Sequence, residues 1–196
     1  MPDVEFATYR TLPARITGWV ILLAVAGMAV VMGVVESQIG NNPLTPSAFL
    51  GVVAAIVWVV LLRPCARVGP DDVHLANLVT DVTLPFARLS AVEHQWSLEL
   101  VDNAGTKHSS WAIPVKRELR PRKNVDRYAE ATTRGKANEG NNAEAIAGHV
   151  STAWQRWKLA GGIEEPDKGV SRTLSWTALG PLLLAVGYLI VVLLIG

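Results

Sequence analysis

The sequence predicts a membrane protein in which three transmembrane helices are joined to a small cytoplasmic α+β domain with an antiparallel sheet and a C-terminal amphipathic helix. Half of the 196 residues are hydrophobic and 18% are charged, against about a quarter charged in an average soluble domain. The apolar residues concentrate in three long uncharged runs, and every Lys and Arg lies in residues 10–15 or 63–172. Within the second of these ranges, short apolar stretches alternate with turn residues, which indicates strands.

Composition argues against several classes of protein. The net charge of +1 gives no general argument for nucleic-acid binding. The single cysteine, Cys65, cannot form an internal disulfide, and the four histidines lack the spacing of metal ligands. We therefore expect neither a disulfide scaffold nor a zinc module, and we predict no metal site and no cofactor.

The three apolar runs are residues 16–35, 44–62 and 173–196, and none of them contains a charged side chain. Each is long enough to cross a hydrocarbon core of roughly 30 Å. A helix in a soluble bundle would show a polar face at 3.6-residue spacing, which these runs lack. The first run also exceeds the roughly 7–15 residues of a signal-peptide core, so we expect it to be a retained anchor.

Basic residues set the expected orientation. Arg10 and Arg15 precede the first span, and sixteen Lys and Arg lie between the second and third spans. The loop between the first two spans and the C-terminus have none. The positive-inside rule therefore places residues 1–15 and 63–172 in the cytoplasm of a bacterial plasma membrane, and Gly196 outside it.

Three tryptophans lie near the expected cytoplasmic ends of the spans. Trp19, Trp58 and Trp176 are each four or five residues from a basic residue. An indole prefers the membrane interface, where its ring contacts apolar groups and its N–H reaches water. We therefore expect these three side chains to be interface anchors.

Small residues and a proline indicate how the spans pack and bend. The first two spans form a predicted hairpin, in which Ala29 with Gly33 and Gly51 with Ala55 would let the two backbones approach closely. In the third span, Pro181 removes one helical hydrogen-bond donor and predicts a kink.

The cytoplasmic range 63–172 begins with a pattern of short strands. The turn sequence 102–105 indicates a hairpin, because Gly105 tolerates a positive φ. We expect about six strands in one small antiparallel sheet or partial barrel. The clearest strand-like segments are residues 73–75, 82–84, 89–92, 98–101 and 109–113.

Two helical patterns follow the strands, joined by a polar linker at 135–141. The first, residues 125–134, is short and mostly polar. The second, residues 142–159, carries an apolar stripe at helical spacing, which we expect to be buried against the sheet or against a lipid or protein surface. The stripe consists of Ile146, Val150, Ala153, Trp154 and Trp157.

After the second span the chain reads Arg63-Pro64, a short strand, Asp71-Asp72, Val73-His74-Leu75, Asn77, Leu84-Pro85-Phe86, Leu89 and Val92. This series, over about residues 63–115, resembles the bacterial PH-like domain proteins, which are small integral membrane proteins common in actinobacteria. The resemblance implies a pleckstrin-homology-type sheet closed by a C-terminal helix, a part that residues 142–159 would play. Asp71 and Asp72 stand where phosphoinositide-binding members concentrate basic residues, so inositide binding is not implied.

The densest charge in the chain is the basic stretch 116–127. Near an anionic leaflet, each basic residue adds about 1 kcal/mol of attraction. We expect this stretch either to contact lipid headgroups or an acidic partner, or to form a solvated loop that follows the positive-inside bias. No aromatic side chains interleave the charges as a platform for nucleic acid. The basic residues concerned are Lys116, Arg117, Arg120, Arg122, Lys123 and Arg127.

No residue pattern predicts catalysis. Cys65 lies beside Arg63 and Arg67, whose charges favour a thiolate, but no paired base accompanies it in sequence. Nucleophile-elbow, phosphate-loop and dinucleotide-binding motifs do not occur. The predicted spans carry no ionisable side chain that would mark a proton or ion pathway.

The sequence therefore favours a non-catalytic accessory or scaffold subunit of a larger integral-membrane complex. Its expected partners are the lipid bilayer and other integral-membrane subunits, and a respiratory-chain assembly is one candidate host. Two alternatives stay open. One is a membrane-anchored lipid-headgroup-binding module that acts alone through residues 116–127, and the other is an enzyme that uses Cys65.

Overall fold

The structure, a computed structural model, describes residues 7–94, 96–114, 143–162 and 169–195. The predicted basic stretch 116–127 and the helical pattern and linker over 125–141 lie outside these residues. The described residues divide into two compact units, which we call the helix unit and the sheet domain.

Four α-helices occur in the described residues: α1 (Leu12–Gln38), α2 (Leu44–Val57), α3 (Ala143–Leu159) and α4 (Trp176–Ile195). The helix unit contains α1, α2 and α4. A π-helical turn over Trp58–Leu62 continues α2. With that turn included, each of the three helices is long and apolar enough to cross a membrane.

The boundaries of two of these helices differ from the predicted spans. Helix α1 extends beyond 16–35 at both ends, because Pro13 is tolerated in a first helical turn and no helix breaker stands before Gln38. Helix α4 begins three residues later than the predicted third span, since the preceding residues form a strand. Helix α4 continues through Pro181.

Within the helix unit, α2 packs against both α1 and α4. The Ser47 and Tyr188 hydroxyls lie 3.4 Å apart near the start of α2, and Arg63 contacts Thr177 just beyond the other end, so α2 and α4 run antiparallel. At Gly18 of α1, an added Cβ would lie 2.9 Å from the Leu62 side chain of the π-helical turn. A Cβ on Gly33 would lie 3.5 Å from the Pro43 carbonyl oxygen, and one on Gly51 would meet nothing within 4 Å.

The sheet domain takes its described residues from 7–11, 65–77 and 81–172. It contains two antiparallel sheets, whereas the sequence predicted one. The first has the strand order β1-β2-β3-β4-β8 and the second the order β5-β6-β7. The strands are β1 (Ala7–Tyr9), β2 (Cys65–Val68), β3 (Asp72–Ala76), β4 (Thr80–Pro85), β5 (Leu89–Glu93), β6 (Ser97–Asp102), β7 (Lys107–Pro114) and β8 (Ser171–Leu174).

The break between the two sheets follows from the sequence at the end of β4. Pro85 has no N–H to donate to a strand ladder, and a 3₁₀ turn over Phe86–Arg88 follows it. The chain then enters β5 in the other sheet.

The inner faces of the two sheets and one face of α3 form the core of the sheet domain. Strand residues alternate between the core and the outside, as a two-residue period requires. Phe86 fills the space at the break between the sheets and is 1% exposed. The other largest buried side chains in this core are Leu75, Leu84, Leu98, Leu100, Ile113, Ile146, Val73 and Val150.

Candidate functional site

A buried arginine organises one end of the helix unit. Arg63 follows the π-helical turn and is only 8% exposed. Its Nε donates to Thr177 Oγ1 at 3.1 Å, and its Nη1 donates to the carbonyl oxygen of Leu78 at 3.2 Å. A buried charge is costly unless it is hydrogen-bonded. These two hydrogen bonds of Arg63 connect the end of α2 to the start of α4 and to the segment Leu78–Thr80.

The acceptors of Arg63 are themselves held in place. The Ser175 hydroxyl lies 2.8 Å from Thr177 Oγ1, and the Ser175 N–H donates to the carbonyl oxygen of Val79 at 2.9 Å. The sequence predicted Arg63 as a neighbour of Cys65 and as part of the series that resembles the PH-like proteins, but not as a buried residue. The signal for burial is a lone arginine directly after an uncharged span.

The three predicted interface tryptophans lie toward the same end of the helix unit as Arg63. Trp19 is the eighth residue of α1, Trp58 is the first residue of the π-helical turn, and Trp176 is the first residue of α4. Because neighbouring helices run antiparallel, these positions share one end. All three side chains are exposed on the unit, by 52%, 40% and 76% respectively, as an indole at a membrane interface would be.

The predicted apolar stripe lies on α3 and packs against the core of the sheet domain. Ile146 and Val150 are fully buried, and Trp154 and Trp157 are partly buried against the core. Trp154 Nε1 donates to the carbonyl oxygen of Phe86 at 3.1 Å, and the ring centroids of Trp157 and Phe86 are 6.3 Å apart. The stripe is therefore used within the domain, which leaves other surfaces for partners.

A row of polar side chains crosses the outer face of the first sheet. Cross-strand pairing aligns Thr8 of β1 with Arg67 of β2, Arg67 with His74 of β3, and His74 with Thr83 of β4. His74 Nδ1 and Thr83 Oγ1 are 3.1 Å apart. The row lines a shallow groove of about 560 Å³, with Asp72 at its edge. We call these four side chains the polar row.

The other described histidines that make hydrogen bonds lie at structural contacts. His149 Nδ1 is 2.7 Å from the Tyr9 hydroxyl, which joins α3 to β1, and partial burial raises the pKa of Tyr9. His108 Nε2 donates to Asp102 Oδ2 at 3.0 Å. This bond, with those from the Thr106 and Ala104 backbone N–H groups, holds the pKa of Asp102 below its usual value.

Cys65 is in β2 and is 2% exposed. The Nη2 atom of Arg10 lies 3.9 Å from its sulfur. A thiol must be reached by its substrate to react, and almost none of Cys65 is exposed. In the described ranges no three His, Cys, Asp or Glu side chains come together in a group that could hold a metal ion.

The predicted headgroup or partner contacts lie outside the described residues. They are Lys116, Arg117, Arg120, Arg122, Lys123 and Arg127. Comparisons with protein-family models, with curated proteins and with solved structures give no match to this chain. What the protein does therefore has to be argued from the two units themselves.

Proposed function

We propose that this protein is a non-catalytic accessory or scaffold subunit of an integral-membrane complex, anchored by α1, α2 and α4. One helix of the partner would pack against α4. The sheet domain would present its outer surfaces to the same complex, and its interior would be structural.

The observation that carries this proposal is an unused small-residue face on α4. An added Cβ on Gly180 or on Gly187 would meet nothing within 4 Å. Seven residues apart, the two glycines lie on the same side of the helix. Glycines in a membrane helix let a second backbone approach closely, and no helix among the described residues makes that approach.

The sheet domain supports the proposal in a different way. Its interior is filled by side chains of both sheets and of α3, while Trp96 and Trp111 are 65% and 60% exposed. Exposed tryptophans are common at protein interfaces. Two antiparallel sheets with a helix packed on them also fit the PH-like architecture that the sequence resembles, and we propose that architecture for the domain.

Affinity purification of the tagged full-length protein in a mild detergent tests the proposal. We expect a stoichiometric membrane partner, identified by mass spectrometry. Gly180→Leu and Gly187→Leu would hold a partner helix away from α4, and we expect each to lower partner recovery about tenfold, the size of a typical helix–helix contribution.

Leu193→Val is the matched control, because Leu193 is a 56% exposed residue of the same helix that lies away from the glycine face, so its replacement leaves that face intact. The control is expected to recover the partner as the wild type does. A wild-type protein that elutes alone, under conditions in which other membrane complexes stay assembled, would contradict the proposal.

The polar row favours a second candidate function, a PH-like module that binds an anionic lipid headgroup on its own. Arg67 and His74 are adjacent in the groove, with the hydroxyls of Thr8 and Thr83 at its two sides. Guanidinium, imidazole and hydroxyl groups are donors that phosphate oxygens accept.

Thermal unfolding of the detergent-solubilised full chain distinguishes this second candidate. A bound anion raises the unfolding temperature by mass action. We expect the temperature to rise when sodium phosphate replaces chloride at constant ionic strength, and Arg67→Ala to abolish the rise. Lys158→Ala, which lies on α3 outside the groove, is the control. An equal response in wild type and Arg67→Ala would remove the polar row from consideration.

A further inference from the structure

A groove lies between the end of α1 and the start of α2, at the hairpin end of the helix unit. Its volume is about 610 Å³, and both apolar and polar side chains line it. The groove is formed entirely within the helix unit, far in sequence from the glycine face of α4. Its lining includes Met32, Glu36, Asn42, Thr45, Phe49 and Leu50.

Glu36 is the only charged residue between Ile16 and Leu62. The sequence predicted it just outside the first span, but α1 continues to Gln38, so Glu36 lies in the last helical turn. The helix dipole disfavours a negative charge at a C-terminus. Stability of α1 therefore does not explain a carboxylate at this position.

The carboxylate of Glu36 is held in place by the hairpin loop. Asn41 Nδ2 donates to Glu36 Oε2 at 2.7 Å, and the Asn41 N–H donates to the Glu36 carbonyl oxygen at 3.0 Å. Within the described residues, the structure gives Glu36 no basic partner. A fixed carboxylate of this kind is complementary to a cation.

The remainder of the groove adds two further recognition elements. Met32 and Phe49 form an apolar wall, and both are exposed on helices of membrane-spanning length. Near the loop, the Thr45 hydroxyl and the Asn42 side-chain amide are hydrogen-bond donors. The Asn42 side-chain oxygen accepts from the Leu44 N–H at 3.0 Å. This bond does not use the side-chain N–H groups of Asn42, which can therefore donate to a ligand.

We propose that this groove binds a phospholipid whose headgroup carries a primary ammonium group, such as phosphatidylethanolamine. The ammonium donates to Glu36, the phosphate accepts from Thr45 and Asn42, and an acyl chain lies along Met32 and Phe49. A groove between two apolar helices of spanning length opens toward acyl chains, which favours a lipid over a soluble amine. The proposal is independent of the partner-binding role of α4.

Native mass spectrometry of the full-length protein tests the site. The detergent-solubilised protein is mixed with equimolar phosphatidylethanolamine, phosphatidylcholine and phosphatidylglycerol of identical acyl chains. The detergent is then removed in the mass spectrometer, and the lipids that stay bound are identified. Choline is cationic but cannot donate a hydrogen bond, and glycerol carries no cation. We expect about tenfold preference for the ethanolamine lipid, the size of one hydrogen bond to a charged group.

Glu36→Gln keeps the size of the side chain and removes its charge, and we expect it to abolish the preference. Ser37→Ala is the control, since Ser37 bonds only to the Val34 carbonyl oxygen of its own helix, and it is expected to retain the preference. Equal retention of the three lipids by the wild type would overturn the proposal. An unchanged preference in Glu36→Gln would also overturn it. Loss of a protein partner from Glu36→Gln, with no lipid preference in the wild type, would assign the carboxylate to a basic residue of that partner instead.

Discussion

Arg63 is a charge that the fold buries where an apolar helix ends. Two of its acceptors, Thr177 and the Leu78 carbonyl, come from segments that are distant in sequence. No local sequence pattern predicts such a contact. The positive-inside rule already accounts for an arginine at this position, so its presence does not by itself indicate such a contact. Sequence reasoning therefore placed the residue at the end of the second predicted span, but did not predict its role in joining three segments.

Replacing Arg63 tests that role. Arg63→Ala would leave the Leu78 carbonyl oxygen and the Thr177 hydroxyl without their charged donor, and we expect a loss of about 2–3 kcal/mol of stability. The measurement is the unfolding temperature of the detergent-solubilised protein followed by size-exclusion chromatography. Arg67→Ala removes an exposed arginine and is expected to change stability by less than about 0.5 kcal/mol. Equal losses of stability in Arg63→Ala and Arg67→Ala would show that the hydrogen bonds of Arg63 do not stabilise the helix unit.

Asp102 makes stability depend on pH. Hydrogen bonds from His108 and from two backbone N–H groups lower the pKa of Asp102 in the folded state. A carboxyl with a lowered folded pKa contributes stability above its unfolded pKa of about 4, and that stability is lost as the pH falls through the folded value. We therefore expect Asp102→Asn to lower the unfolding temperature at pH 7, with a difference from wild type that narrows below about pH 4.

Asp71→Asn is the matched change for this comparison, because Asp71 is an exposed turn residue of the same domain. The unfolding temperatures of both variants and of the wild type are measured across the same pH range. A difference for Asp102→Asn that does not vary with pH would mean that its carboxylate contributes no charge-dependent stability.

At the scale of elements, the strand predictions show what alternation can and cannot reveal. The five predicted segments all fall inside strands of the structure, from β3 to β7, because each has one apolar face. Strand β1 has three residues, and β8 is exposed along its whole length, so neither shows a pattern. Their pairing depends on residues far away in sequence. The division into two sheets was missed because Pro85 was not recognised as the end of a ladder.

Two glycines, one in helix α3 and one just after it, have opposite surroundings. An added Cβ on Gly148 would meet nothing within 4 Å, whereas one on Gly162 would clash with the Trp157 ring. We expect Gly148→Ala to stabilise the protein by about 0.5–1 kcal/mol, through helix propensity. Gly162→Ala is expected to cost about 1–3 kcal/mol, because the indole must move.

Chemical denaturation monitored by tryptophan fluorescence measures both changes, and each serves as the control for the other. The test depends on the position of Trp157 against the core. A Gly162→Ala protein as stable as Gly148→Ala would mean that Trp157 leaves the core without cost and that the apolar stripe contributes little to the domain.

At the scale of the whole molecule, strand pairing constrains how the chain can cross a bilayer. Strand β1 precedes α1 and β2 follows the π-helical turn, yet the two strands pair directly, Thr8 with Arg67. Both strands must therefore be on one side of any membrane that α1 and α2 cross. This supports the hairpin inferred from basic residues, by an argument that does not use charge.

Tags at three positions test the topology. We expect a tag at Met1 and a tag inserted in the β6–β7 turn at Gly105 to report the cytoplasm, and a tag at Gly196 to report the opposite compartment, as three spans require. Gly105 suits an insertion because it is in an exposed turn with φ of +81°. Detection of Met1 and Gly196 on the same side would reduce the number of spans to two.

The pairing of β1 with β2 also sets an order of events during synthesis. The ribosome makes Ala7–Tyr9 first, then both helices of the hairpin, and only afterwards the strand that receives β1. Tyr9 waits even longer for His149, which is 140 residues further along the chain. A nascent chain that inserts only one helix of the hairpin would leave β1 across the bilayer from its partner. If α1 and α2 cross a membrane, completion of the sheet domain therefore requires that both helices have entered it.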